Sequence, residues 1–173
     1  MVITDRKTII QGIAKAAANW RRELHQHPQT MYEEEFASSF IRQRLDECGI
    51  RYESGIARTE VVASIEGLPA AHRRIAFRAD MDALPIQEEG DLPWKSHNPG
   101  KMHACGHDGH TASLLALACY LQQTRDFPGT VHLIFQPAEE GGRGEPNAGR
   151  GATRALSLRR NLRSSQLALY SER

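Results

Sequence analysis

Lys101-Met102-His103-Ala104-Cys105-Gly106-His107-Asp108-Gly109-His110 sets three histidines, a cysteine and an aspartate around two glycines. It stands immediately ahead of an apolar run carrying Leu114, Leu115, Leu117, Ala118 and Leu121. Cys105 and His107 are two apart, so neither helix nor strand geometry obliges their side chains to converge. A glycine-containing loop, by contrast, lets both turn toward one point. Thiolate and imidazole at one point suit zinc, manganese, cobalt or nickel rather than calcium or magnesium. The remainder of the chain is read as what brings further ligands and a base to that loop.

Outward from the loop, Thr111 to Gln123 reads as a mostly buried helix, and Pro128-Gly129 as a turn into a strand, Val131 to Phe135. Upstream, Ile75 to Ala79 reads as a short strand. Ile56 to Thr59 leads into a second, the β-branched run Val61 to Ile65. Residues 5–25 carry Ile9, Ile10, Ile13, Ala16, Ala17, Trp20 and Leu24 at helical spacing. That helix should stop at His25-Gln26-His27-Pro28, because the residue before a proline avoids helical geometry. A second helix is expected over Glu33–Cys48, with Phe36, Phe40, Ile41 and Leu45 as its stripe and Gly49 as its cap. Residues 86–100 read as loop, and there is no internal repeat. Strands separated by helices predict an α/β fold, a layered sheet with flanking helices and its functional loops at strand ends.

A chain of 173 residues with 40% hydrophobic and 25% charged residues fits one soluble domain with a full core. A net charge of +1 gives the chain as a whole no steering toward nucleic acid. Cys48, Cys105 and Cys119 are odd in number and widely spaced, which argues against a disulfide framework and for a reducing cytoplasm. No apolar signal core opens the chain and no run reaches membrane-spanning length, so no membrane partner is expected.

Three segments follow directly on predicted strands, where an α/β sheet presents its site. They are Asp80-Met81-Asp82, the Cys105/His107 loop, and Glu139-Glu140. In an extended segment Asp80 and Asp82 share one face, whereas Glu139 and Glu140 point to opposite sides, one to metal and one to substrate. Metal-assisted hydrolysis needs such a division, ligands with an open position and a carboxylate to take a proton from water. Taken singly, each segment has a structural reading. Asp-x-Asp is common after strands, and a Glu-Glu pair is usually solvated. His25 and His27 could simply end a helix, and Cys48 and Cys119 fit apolar helix stripes. The conjunction of all three segments carries the functional reading.

Four motifs in series strengthen it: Arg-Arg-Glu-Leu-His-Gln-His-Pro at 21–28, Phe-Arg-Ala-Asp-Met-Asp-Ala-Leu-Pro at 77–85, Met-His-Ala-Cys-Gly-His-Asp-Gly-His at 102–110 and Phe-Gln-Pro-Ala-Glu-Glu-Gly-Gly at 135–142. Over residues 5–142 the chain resembles the N-terminal part of the M20 metallopeptidase family, in its aminoacylase and hippurate hydrolase branch. The resemblance implies an incomplete zinc-peptidase-like catalytic domain that hydrolyses the amide of a small-molecule N-acyl amino acid. It implies divalent metal ions, manganese or zinc first and cobalt or nickel next. Cys105 would be the bridging thiolate, His107 and Glu140 further metal ligands, and Glu139 the general base. Asp82 matches the aspartate that orients a histidine ligand, although Asp80 stands where the wider family has that histidine. His110 is expected to be structural, at the start of its helix.

Residues 143–173 are expected to form an Arg/Gly-rich tail outside the resemblance. Residues 1–140 hold 15 Lys and Arg against 19 Asp and Glu, whereas residues 141–173 hold 7 Arg, no Lys and 2 Glu. That reversal fits a shifted reading frame in a GC-rich gene, with a basic tail for nucleic acid or an acidic partner as the competing reading. The family's remaining histidine ligands and dimerisation domain follow the Glu-Glu motif, yet no histidine follows Gly142 here. Impaired catalysis and an exposed sheet edge are therefore expected. Two further readings stand beside the amidohydrolase: a non-catalytic fragment, and a metal-free thiol hydrolase using Cys105 with His107 or His110.

Overall fold

The computed structural model describes residues 5–69 and 73–141 and the backbone of residues 168–171. Its elements run α1 (Arg6–Gln26), α2 (Glu35–Glu47), β1 (Tyr52–Ser54), β2 (Val61–Glu66), β3 (Arg74–Asp80), α3 (His107–Thr124), β4 (Thr130–Gln136) and β5 (Ala168–Ser171). The α/β reading holds. One sheet runs in the order β1-β2-β4-β3-β5, with β3 and β4 parallel and the other pairs antiparallel.

Period-two alternation builds the core. Val61, Ala63 and Ile65 on β2 stand opposite Phe135, Leu133 and Val131 on β4. Those three in turn stand opposite Ala79, Phe77 and Ile75 on β3. This single face packs with Ile41 and Leu45 of α2 and with Leu114, Leu115 and Ala118 of α3. Phe135 is fully buried, and truncating such a side chain to alanine typically costs about 3–5 kcal/mol. Helix α1 packs along α3. Its apolar stripe is only half covered, and Ile10 stays exposed.

The helix ends follow the sequence signals. Helix α1 stops at Gln26, ahead of Pro28. Helix α2 closes with Gly49 at φ 66°, its N–H on the Asp46 carbonyl and the Ile50 N–H on that of Leu45. That is the paired bonding of a Schellman cap. The strand β1 and the turn over 56–59 depart from the expected layout, in which 56–59 led straight into β2.

Two expectations need correction. Cys48 and Cys119 are disulfide-bonded, with Cα atoms 5.8 Å apart. They are 71 residues apart in sequence, and only the packing of α2 on α3 brings them together. This pairing removes the argument for a reducing compartment drawn from unpaired thiols. Nor is the outer edge of β3 bare, because Ala168–Ser171 pairs with Ile75 to Arg78. The remaining tail residues, among them Arg159 to Ser165, lie outside the described residues. Among the described residues, no helix is long and apolar enough to cross a membrane.

Candidate metal centre

The site lies at the carboxyl ends of the parallel pair β3 and β4, where the βα loop, the start of α3 and the chain leaving β4 meet. Gly106 makes the approach possible. At φ 81° it occupies the left-handed region, which a residue with a Cβ enters at a cost. Helix α3 then begins at His107, four residues before the expected Thr111. His107, His110 and Thr111 consequently share one helical face. Thr111 Oγ1 donates to the Asp80 carbonyl at 3.0 Å, which fixes that face on the end of β3.

Buried His107 directs Nδ1 at Asp82, 2.9 Å from its carbonyl oxygen and 3.2 Å from Oδ1. With Nδ1–H as donor, the lone pair on Nε2 is left for the site, 3.8 Å from Glu140 Oε1. Asp82 Oδ2 accepts the Glu140 N–H at 2.9 Å. One aspartate thus aligns a histidine and the chain that carries the glutamates. Burial alone would raise the Asp82 carboxyl, but these hydrogen bonds hold it below its ordinary value. Burial would likewise depress His107, and Asp82 reverses that shift to an upward one.

At the end of β4, Ala138 takes φ 57° and bends the chain. The two glutamates therefore do not point to opposite sides as expected from an extended segment. Carboxylate oxygens of Glu139 and Glu140 and a nitrogen of His107 all lie within 4.8 Å of one another. Cys105 is exposed and lies outside that grouping, and its thiol is perturbed first by hydrogen bonding to Glu140. That bond, followed by burial and the neighbouring carboxylates, pushes its thiol up to about 11. The converging donors are an imidazole nitrogen, its ring already oriented from behind, and two carboxylate oxygens, with the Cys105 thiol beside Glu140. That set suits a borderline-soft divalent ion, so the residues fit the metal that the motifs imply. Of the five residues anticipated from sequence, His107, Glu139 and Glu140 come within reach of one point and Asp82 stands behind His107, whereas Cys105 belongs to neither grouping of possible ligand atoms among the described residues.

Asp80, His107 and His110 form a second grouping within the same limit. Asp80 Oδ1 pairs with Arg78 inside the protein, and Oδ2 has no hydrogen-bond partner. Burial pushes its carboxyl up to about 6. His110, expected to be structural, is lowered chiefly by burial, and its Nδ1 is unpartnered.

Sequence reasoning missed two buried groups. His25, read as part of a helix end, holds Asp108 through Nδ1 at 2.8 Å and Glu88 through Nε2 at 3.2 Å. Glu34 sits inside the acidic run Glu33-Glu34-Glu35 at the expected start of the second helix, yet it is fully buried. No local signal separates it from its two neighbours. His27 does match the helix-end reading, with Nδ1 on the Glu23 carbonyl at 2.8 Å.

A family model described as peptidase family M20/M25/M40 matches residues 76–166. An N-acyl-L-amino acid amidohydrolase of Geobacillus stearothermophilus is 44% identical over 81% of this chain and 38% of its own length. The N-acetyl-L-cysteine deacetylase of Bacillus subtilis is 47% identical over 85% and 34%. Among solved structures, the Bacillus subtilis YXEP protein, described as a dinuclear metal binding peptidase from the M20 family, superposes with a TM-score of 0.77. It is 41% identical and covers 86% of this chain and 41% of that one. The chain spans about a third of the length of the curated relatives it matches.

Proposed function

The chain belongs to peptidase family M20/M25/M40, and from that membership we propose that it carries the metal-binding part of an amidohydrolase acting on N-acyl amino acids. The observation that carries this reading is the convergence of Glu139 and Glu140 on His107, whose other ring nitrogen is committed to Asp82. Relatives named as an N-acyl-L-amino acid amidohydrolase and an N-acetyl-L-cysteine deacetylase support the substrate class. Cys105, His107 and Glu140 would hold the divalent ion, with manganese or zinc preferred and cobalt or nickel able to replace them. Bound there, the metal supplies Lewis-acid polarisation of the amide carbonyl and a lowered pKa for water.

The chain's own residues do the rest. Glu139 accepts a proton as water oxygen attacks the carbonyl carbon. It returns that proton to the amide nitrogen as the C–N bond breaks, leaving a carboxylate and a free amino acid. Asp82 keeps His107 in the tautomer that presents Nε2 and anchors the amide of Glu140. A thiol mechanism is disfavoured, because reactive cysteines sit in electropositive surroundings and Cys105 sits among carboxylates that raise it to about 11.

The test is amino-acid release from an N-acetyl amino acid in the presence of manganese, with chelator and Glu139→Gln as controls. Chelator should abolish release, and Glu139→Gln should cut it by about 10²–10⁴ while manganese binding persists. Release that survives chelation overturns the metal reading. Manganese binding without turnover favours the non-catalytic fragment instead.

A further inference from the structure

Glu34 precedes α2 and is 104 residues from the turn after β4, yet its carboxylate reaches that turn. Oε1 accepts the Ala138 N–H at 3.0 Å and the Tyr32 N–H at 2.9 Å. Oε2 accepts the Thr59 hydroxyl at 2.8 Å. The two amides on Oε1 belong to residues with positive φ, 57° at Ala138 and 63° at Tyr32. Neither is glycine, so each backbone is held in a sparsely populated conformation and needs surrounding contacts to stay there. Ala138 is the residue whose bend turns Glu139 and Glu140 onto His107. At its far side the same turn is held by the Glu140 N–H on Asp82 Oδ2. Just beyond, a Cβ on Gly141 would collide with Met31 Sδ, so the Tyr32 segment lies directly against this turn.

We propose that Glu34 is a positioning residue for the metal centre, its buried carboxylate clamping the Ala138 amide so that Glu139 and Glu140 stay gathered on His107. It touches neither substrate nor metal. The inference rests on the metal reading above, but the clamp itself exists without an ion. Glutamine can reproduce the clamp, because its amide oxygen accepts both N–H groups and its NH₂ can donate to Thr59 Oγ1. Alanine cannot.

The test uses cobalt(II) titration, read by visible absorption, and amide hydrogen exchange at Ala138 and Glu140 without metal. Glu34→Ala should weaken cobalt by about 10-fold or more, the range for groups that orient ligands from behind. Its Ala138 and Glu140 amides should exchange about 10-fold faster or more, whereas Glu34→Gln should stay within about 3-fold of the parent in both readouts. Ile41→Ala, a core truncation away from the turn, should lower the melting temperature without moving either. If Glu34→Ala does not fold, Thr59→Val, which frees Oε2 alone, should shift both readouts in the same direction by less.

Exchange at Ala138 unchanged in Glu34→Ala, or in Thr59→Val where that variant is the one measured, overturns the proposal. Equal effects from Ile41→Ala also overturn it, by reducing the effect to stability. If the parent binds no cobalt, the metal reading fails, and the exchange measurement still decides the clamp.

Discussion

Two histidine–carboxylate clusters, one built on His107 and the other on the adjacent Asp108, behave differently. His25 has both ring nitrogens committed, to Asp108 and to Glu88, and Arg21 Nε reaches Asp108 from outside at 3.2 Å. Glu88 is in turn bonded by the Ser96 N–H at 2.7 Å. That histidine is closed to a further ligand, although the buried Asp108 Oδ1 has no hydrogen-bond partner. His107 has one nitrogen committed to Asp82 and the other facing Glu140 from 3.8 Å, too far for a hydrogen bond. Residue types are the same, and Asp108 directly follows His107 in sequence. The difference is whether the second nitrogen is already taken, and it separates a structural histidine from a candidate ligand. Between the clusters lies His103, buried at 6.3 Å from the His25 ring, with Nδ1 unpartnered. Burial pulls it down to about 4, so it sits there neutral.

Substituting the two histidines in turn gives the largest expected effect. His25→Ala leaves two buried carboxylates short of a partner and should cost about 3–5 kcal/mol of stability, read by urea unfolding. The manganese affinity of the folded fraction should stay near that of the parent. His107→Ala should do the reverse, removing a ligand with a smaller stability loss. If His25→Ala weakens metal as much as His107→Ala, the His25 cluster is part of the centre and the distinction fails.

A buried acid with no histidine beside it gives the next largest expected effect. Glu60 is fully buried, neither carboxyl oxygen has a hydrogen-bond partner, and burial pushes it from 4.5 to about 7. Between those values the native state holds a proton that the unfolded chain has released, so stability falls as pH rises through that window. The loss levels off above about pH 7, at up to ~3 kcal/mol. Unfolding free energies from pH 4 to pH 8 should therefore diverge between the parent and Glu60→Gln, with the variant gaining as pH rises. Parallel curves would mean that Glu60 finds a partner in solution.

The smallest expected effect tests the orienting role of Asp82. Asp82→Asn should weaken manganese binding by about 10–100-fold with little change in melting temperature, because Oδ1 can still accept from either His107 or the Glu140 amide. An unchanged affinity would mean that the Asp82 carbonyl alone sets the His107 tautomer.

Much of the fold was legible in the sequence because it rests on periodicity. The strand Val131–Phe135, the pre-proline stop of α1 and the Gly49 cap are each dictated within a few residues. The Cys105/His107 loop and the two segments at strand ends stood out by residue type and by their place in the chain, and of them His107, Glu139 and Glu140 come together. The disulfide was not, because 71 residues separate its cysteines and only helix packing joins them. Glu34 was not either. Its meaning lies in burial and in a contact 104 residues away, while its local context is that of a surface acid.

The layered α/β arrangement, the three candidate segments and the donor types of Cys105, His107 and the glutamates could be read from the chain alone. These follow from side-chain period, from glycine and proline punctuation, and from which atoms can bind a borderline-soft cation. Only the tertiary structure decided which histidine keeps a free nitrogen, that Glu139 and Glu140 turn to the same point, and that a buried glutamate from the far end of the chain holds their turn. Those outcomes depend on where hydrogen-bonding capacity is already spent, and that is settled by contacts between residues far apart in sequence.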